Sequence, residues 1–280
     1  MKKYYAPFAA ARSDERLKDF TLGGIAQNIG GVAQNIIASV IWLLIGLAAA
    51  KVYSYVRRGR HLRKVWKLPR STERIQIVAA SLKRQATLSY SRPATGLGEL
   101  TASFYVSESL TLAYRRLDRR MFISLSHEFP SSLLKGTLIC LGGPRHNEVT
   151  RLLTRYCKPR YHYELTNGTA VVDTETGKRY LPDMKSPDLR RDYALVYRMQ
   201  NPFNPDSAAF ILSGAHTYGV SAAGKIFDAE HIRALSKSVG NLGGSWEVLL
   251  RVDCVGDVEF PHIVTASALV LDSGHEEPTT

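Results

Sequence analysis

Three glycine-bearing segments carry residue types that bind anions. They are Thr95-Gly96-Leu97-Gly98-Glu99, Gly142-Gly143-Pro144-Arg145-His146-Asn147 and Gly214-Ala215-His216-Thr217-Tyr218-Gly219. Glycine lets a backbone approach a ligand closely, and the free amides at a helix N-terminus attract negative charge. Arg145 adds a planar fork suited to phosphate. His146, His216 and Tyr218 can stack on a base or bond to it. The candidate ligand-binding residues are therefore Thr95, Gly96, Gly98, Glu99, Gly142, Gly143, Arg145, His146, Asn147, Gly214, His216, Thr217, Tyr218 and Gly219. Neither familiar phosphate fingerprint is present. Gly219 is followed by Val220-Ser221 with no lysine, so there is no GxxxxGK[ST], and TGLGEL lacks the third glycine of GxGxxG. Each segment alone reads equally well as a tight turn.

Acid–base chemistry is a second reading, with Glu99 or Asp192 as acid, base or nucleophile and His146 or His216 assisting. Glu99 equally suits the first turn of a helix, where the dipole favours a carboxylate. No paired carboxylates stand at a spacing that identifies catalysis, so no catalytic residue is assigned. Cys140, Cys157 and Cys254 form no CxxC or other metal-ligand spacing. That excludes a disulfide framework, gives no metal site and points to a reducing compartment.

The elements that must position these segments alternate. Ile75–Ser81, Phe122–Leu125, Thr137–Leu141, Tyr161–Leu165, Tyr193–Arg198 and Ala209–Ser213 read as short strands. Residues 97–117, Glu148–Tyr156 and Val220–Ser238 read as helices, and AVVDTETGKRYLP as a surface hairpin. SWEVLLRVDCV and HIVTASALVLD close the chain as two strands. The pattern predicts an α/β domain with a mostly parallel sheet ending in antiparallel strands. The three segments then share the sheet edge where strands run into helices. Asn201-Pro202-Phe203-Asn204-Pro205 reads either as a rigid turn or as a pocket wall carrying Phe203.

The composition is that of a folded protein, 45% hydrophobic and 22% charged in 280 residues. The net charge of +12 is not spread evenly. Residues 51–70 hold eight Lys/Arg and no acid, whereas residues 71–280 hold 24 basic and 22 acidic residues. The basic stretch is expected to meet anionic membrane lipids, and direct nucleic-acid binding is disfavoured because no aromatic platform accompanies the charge. Before it, Gly24–Ala50 is 27 residues without a charge, about 40 Å of helix and enough to span a bilayer. Inside this span Gly24-Ile-Ala-Gln-Asn-Ile-Gly30 is nearly repeated as Gly31-Val-Ala-Gln-Asn-Ile-Ile37. A period of seven stacks Gln27 on Gln34 and Asn28 on Asn35 along one helix face. This amide stripe suits membrane association with further copies of the chain, making a homo-oligomer; an interfacial stretch before a shorter span is the alternative.

The expected layout is a polar segment at 1–23, a transmembrane helix at 24–56, a basic juxtamembrane linker at 57–73, the α/β domain at 74–272 and a disordered tail at 273–280. The positive-inside rule places residue 51 onward in the cytoplasm, and the expected location is the cell inner membrane, single-pass, with the C-terminal domain cytoplasmic.

GGPRHN (142–147), DYALVYRMQNPFNP (192–205) and FILSGAHTYGVSAA (210–223) together resemble a Rossmann-like domain of bacterial membrane-anchored and regulatory proteins. Such domains occur in nucleotide-sensing effectors of anti-phage and related conflict systems. The resemblance covers about residues 74–240 and carries over no catalytic residue. It implies a nucleotide-like ligand at Gly142–Asn147 and Gly214–Gly219, and a membrane part that answers it. The expected function is a membrane-anchored sensor or effector, more a binding module than an enzyme. The alternatives are a membrane-tethered enzyme acting on nucleotides or nucleosides and a non-catalytic membrane scaffold.

Overall fold

The computed structural model describes residues 22–69, 72, 74–82, 86–87, 90–91, 94–114, 120–164, 169–185, 188–240, 242 and 244–272, with side chains from residue 36 onward except at 86–87 and 90–91. Residues 1–21 and the expected tail at 273–280 lie outside the described residues. The chain divides into two units, 1–55 and 56–280.

One helix, α1 (Leu22–Trp66), supplies the first unit and continues into the second. No proline interrupts its 45 residues. From Ile36 onward it contains a stretch of mean hydropathy 2.1, none of it buried, long and apolar enough to cross a membrane. Gln27, Asn28, Gln34 and Asn35 are on this helix, but their side chains fall outside the described set.

The second unit is mixed α/β. Its strands are β1 (Ile75–Ala79), β2 (Ala86–Thr87), β3 (Tyr90–Ser91), β4 (Met121–Leu125), β5 (Thr137–Leu141), β6 (Cys157–Lys158), β7 (Tyr161–Glu164), β8 (Ala170–Asp173), β9 (Arg179–Tyr180), β10 (Asp183–Lys185), β11 (Asp188–Asn201), β12 (Asn204–Gly214), β13 (Trp246–Val255), β14 (Val258–Ala268) and β15 (Val270–Leu271). Its own helices are α2 (Leu97–Ala113), α3 (Glu148–Leu153), α4 (Thr217–Lys225) and α5 (Ile232–Val239). The main sheet runs β14-β13-β11-β12-β5-β1-β4, with β10 added beside β11. The neighbours β4, β1, β5 and β12 are mutually parallel. From β12 outward the pairing is antiparallel, ending in the β13–β14 hairpin. IQIVA and TLICL are buried at every position because helices or loops cover both faces of the parallel part.

One face packs against α2, α4, α5 and the end of α1, around Val106, Leu110, Phe210, Phe227 and Trp246. The other packs against α3 and the small β7-β8-β9 sheet, around Leu138, Leu153, Val171 and Leu195. Part of the basic 57–73 segment is structural as well as charged. Leu62, Val65 and Trp66 are fully buried in the first of these cores. Trp66 stacks on Phe227 at 4.3 Å, meets Phe210 edge-on and donates from Nε1 to Ser109 Oγ at 2.8 Å. The helix then stops at Lys67, whose φ of +41° is the left-handed conformation common past a helix end. Arg198, itself buried, donates to the carbonyls of Trp66 and Lys67 and so caps that end.

Pro202-Phe203 forms the two-residue turn joining β11 to β12. Asn201 pins it by donating to the Leu134 and Gly136 carbonyls. Eleven residues of β12 separate the turn from Gly214, about 35 Å of strand, so Phe203 does not wall the edge where the glycine segments gather.

Candidate functional site

Because β1, β5 and β12 are adjacent and parallel, their carboxyl ends share one edge, and the three glycine segments meet there. The first opens α2, with Gly96 as its N-cap. The third opens α4, with His216 as its N-cap. These two helix starts touch: a Cβ on Gly98 would strike the Thr217 carbonyl. Farther along, a Cβ on Gly224 would lie 2.5 Å from Ala102 Cα, so α2 and α4 are packed backbone to backbone. The second segment joins through Gly142, at φ +98°, where a Cβ would meet Ala80 Cβ at 2.7 Å and Glu99 Oε1 at 3.0 Å. Gly143 has open space around it.

Asp192 organises the third segment. Its carboxylate is fully buried, and Oδ2 accepts from Gly219 N at 2.6 Å and His216 N at 3.2 Å. Oδ1 accepts from Tyr193 N at 2.9 Å and faces His216 Nδ1 at 3.3 Å. That contact raises the imidazole pKa, against a smaller opposing effect of burial. Both oxygens of Asp192 are thus engaged, and neither is exposed to solvent. Burial raises the Glu99 carboxyl above the ordinary range, with its own backbone amide partly offsetting this. Thr95 Oγ1 is buried without a hydrogen-bond partner among the described residues.

Asn147 has a structural task. It is fully buried, donates to the Val78 and Leu141 carbonyls, and accepts from Thr150 N as the N-cap of α3. Arg145 and the His146 side chain are exposed beside it, and the His146 carbonyl accepts from Ser81 N.

A cleft of about 280 Å³ opens beside the α2–α4 contact. Leu97, Gly98, Thr101 and Tyr105 line it from α2, and Thr217, Tyr218, Ser221 and Lys225 from α4. Asp257, Val258 and Glu259, at the β13–β14 turn, close the third side. Tyr218 Oη donates to Asp257 Oδ1 at 3.2 Å. Glu259 is buried; it accepts from Ser221 Oγ at 2.8 Å, and its backbone carbonyl accepts from Lys225 Nζ at 2.8 Å. The volume is near the lower end of small-molecule sites, about 300 Å³. Of the sequence candidates, Gly98, Thr217 and Tyr218 line this cleft, whereas Gly142–Asn147 does not. Tyr105, Ser221, Lys225, Asp257 and Glu259 were not among them. No local motif marks the last two, since they arrive from a hairpin folded over α2 and α4.

Asp228, Glu230 and His231 bring ligand atoms within 4.8 Å of one another. Asp228 Oδ1 already accepts from Glu230 N, His231 N and His231 Nδ1, so it holds the turn that leads into α5, whose N-cap is His231.

Comparison with protein-family models gives no match, and comparison with curated proteins gives none.

Proposed function

We propose that this chain is a membrane-anchored sensor, single-pass in the inner membrane, whose cytoplasmic α/β unit binds a small nucleotide-like ligand and controls assembly of the membrane helix. The observation that carries the reading is the meeting of two helix N-termini, those of α2 and α4, at Gly98 and Thr217 on the rim of one cleft. The dipoles of the two helix starts favour a phosphate or another anion, with Asp192 already holding the His216 and Gly219 amides at the α4 end. Tyr105 and Tyr218 offer flat apolar walls, and Asp257 and Glu259 can accept hydrogen bonds from hydroxyl or amino groups. The exposed cations of α1, Arg57, Arg58, Arg60, Arg63 and Lys64, suit anionic lipid headgroups. A role in anti-phage defence rests on the motif resemblance.

The test is a thermal-shift series on the full chain in detergent with inorganic phosphate, nucleosides, mononucleotides and cyclic dinucleotides. A stabilising nucleotide whose effect is lost in Tyr105→Ala places it in the cleft; loss in Arg145→Ala instead places it on the Gly142–Asn147 side. Absence of any shift across the series refutes the reading. A second reading, an enzyme acting on nucleotides, is favoured by the buried Asp192 held against His216 Nδ1; turnover of a binding nucleotide would decide for it.

A further inference from the structure

A second cluster of chemistry-bearing side chains stands on the same sheet edge, outside the cleft. In the parallel register Ala79 of β1 pairs with Leu125 of β4, and two residues beyond that pair come Ser81 and His127. The tight turn Ser126–Glu128 that follows β4 carries the imidazole back onto the serine. Ser81 Oγ lies 2.6 Å from His127 Nδ1, at the protein surface. His127 Nε2 lies 3.0 Å from Glu128 Oε1. The tautomer follows from the partners. A carboxylate only accepts, so the neutral ring keeps its proton on Nε2, and Nδ1 is left to accept from the Ser81 hydroxyl. Ser81 N donates to the His146 carbonyl at 2.9 Å and fixes the backbone beneath the hydroxyl. Ser126 Oγ, 3.2 Å from Ser81 Oγ, donates to that same carbonyl at 3.3 Å. Among the described residues the His127 amide, at 3.3 Å, is then the one donor to Ser81 Oγ. One lone pair remains for attack.

We infer that Ser81, His127 and Glu128 form a nucleophile, base and carboxylate that hydrolyse carboxylic esters. A serine within hydrogen-bond reach of a base, itself oriented by a third group, is the general requirement, and it recurs on unrelated folds. As His127 Nδ1 takes the hydroxyl proton, Ser81 Oγ attacks the ester carbonyl carbon. The tetrahedral adduct collapses, the bond to the alcohol oxygen breaks, and Nδ1 gives that oxygen its proton. Water then attacks the carbonyl of the acylated Ser81, its proton passing through Nδ1 to Ser81 Oγ, and the acid leaves. The net change is ester plus water to acid plus alcohol, with no other reactant. Glu128 is a positioning residue: it holds the Nε2 proton and so presents Nδ1 as the base. Arg145, exposed on the loop whose His146 carbonyl anchors Ser81, favours an ester that carries a nearby negative charge. None of the three residues lines the α2–α4 cleft, so the inference needs neither a nucleotide ligand nor assembly of the membrane helix.

The test is labelling of the full chain in detergent with a fluorophosphonate, from which a nucleophilic serine displaces fluoride to form an Oγ–phosphorus bond. Peptide mass spectrometry locates the adduct, which should be on Ser81. This reading on the wild-type chain does not depend on whether any variant folds. His127→Asn leaves an acceptor near the Nδ1 position to hold the hydroxyl but no base, and should slow labelling by at least about a hundredfold. Hydrolysis of p-nitrophenyl acetate should fall by a similar factor, about a hundredfold, in Ser81→Ala. Glu128→Gln should lower kcat and leave KM unchanged. No adduct on Ser81, an adduct formed equally fast in His127→Asn, or unchanged ester hydrolysis in Ser81→Ala overturns the inference. An unchanged kcat in Glu128→Gln overturns the role given to that carboxylate.

Discussion

Asp192 shows how one side chain can fix a loop. Its four contacts are to backbone amides of Tyr193, His216 and Gly219 and to the His216 ring. Asp192→Asn keeps the shape but turns one acceptor into a donor facing donors. Hydrogen bonds to a charged group contribute about 1.5–3 kcal/mol each, so urea unfolding should show a loss of about 2–3 kcal/mol. The same pair sets a pH dependence. The folded-state pKa of His216 is raised, so its contribution is fully present below the unfolded value of about 6.5 and is lost as pH rises through the raised folded value. An NMR titration should place the His216 ring above 6.5 in the wild type and lower in Asp192→Asn.

At the scale of elements, α2 and α4 cross backbone to backbone beside the cleft. Gly98 and Gly224 let the backbones meet, and a methyl at either must push the helices apart. Gly98→Ala should cost about 1–3 kcal/mol as overpacking, read as a lower denaturation midpoint, and should also distort the cleft. Much of this frame is legible in the sequence. IQIVA and TLICL announce buried parallel strands, and the glycine segments do share one edge. Val220–Ser238, read as largely helical, is two helices, α4 and α5, with a turn between them that Asp228 holds by accepting from Glu230 N and His231 N. Of the glycines read as ligand contacts, Gly98 lies where α2 meets the start of α4 and Gly219 against the Tyr193 carbonyl: a residue type records that backbone comes close to something, without recording whether that is a ligand or another part of the chain. The role of Asp192 was not legible, since its partners lie up to 27 residues away and are backbone amides that no side-chain pattern encodes.

At the scale of the whole molecule, α1 is both the apolar helix of the first unit and a core element of the second. A fragment beginning at residue 70 removes Leu62, Val65 and Trp66 from the core, and should unfold at markedly lower denaturant than one beginning at residue 56. Trp66→Ala alone should cost about 3–5 kcal/mol, measured in the 56–280 fragment. If the amide stripe drives assembly, changing Gln27, Asn28, Gln34 and Asn35 to Leu should shift the cross-linked distribution of the full chain in membranes toward smaller species. Interhelical hydrogen bonds in membranes average only about 0.6 kcal/mol, so a partial shift is expected. The capping of α1 by Arg198 also sets an order of events during synthesis. The guanidinium that closes the helix end lies 132 residues later in the chain than Trp66, which at about 5–20 residues per second is a delay on the order of ten seconds. Through that interval the ribosome has delivered a finished apolar helix whose terminal tryptophan has no core to enter. Translation therefore commits the N-terminal helix to its surroundings before the α/β unit can close on its end.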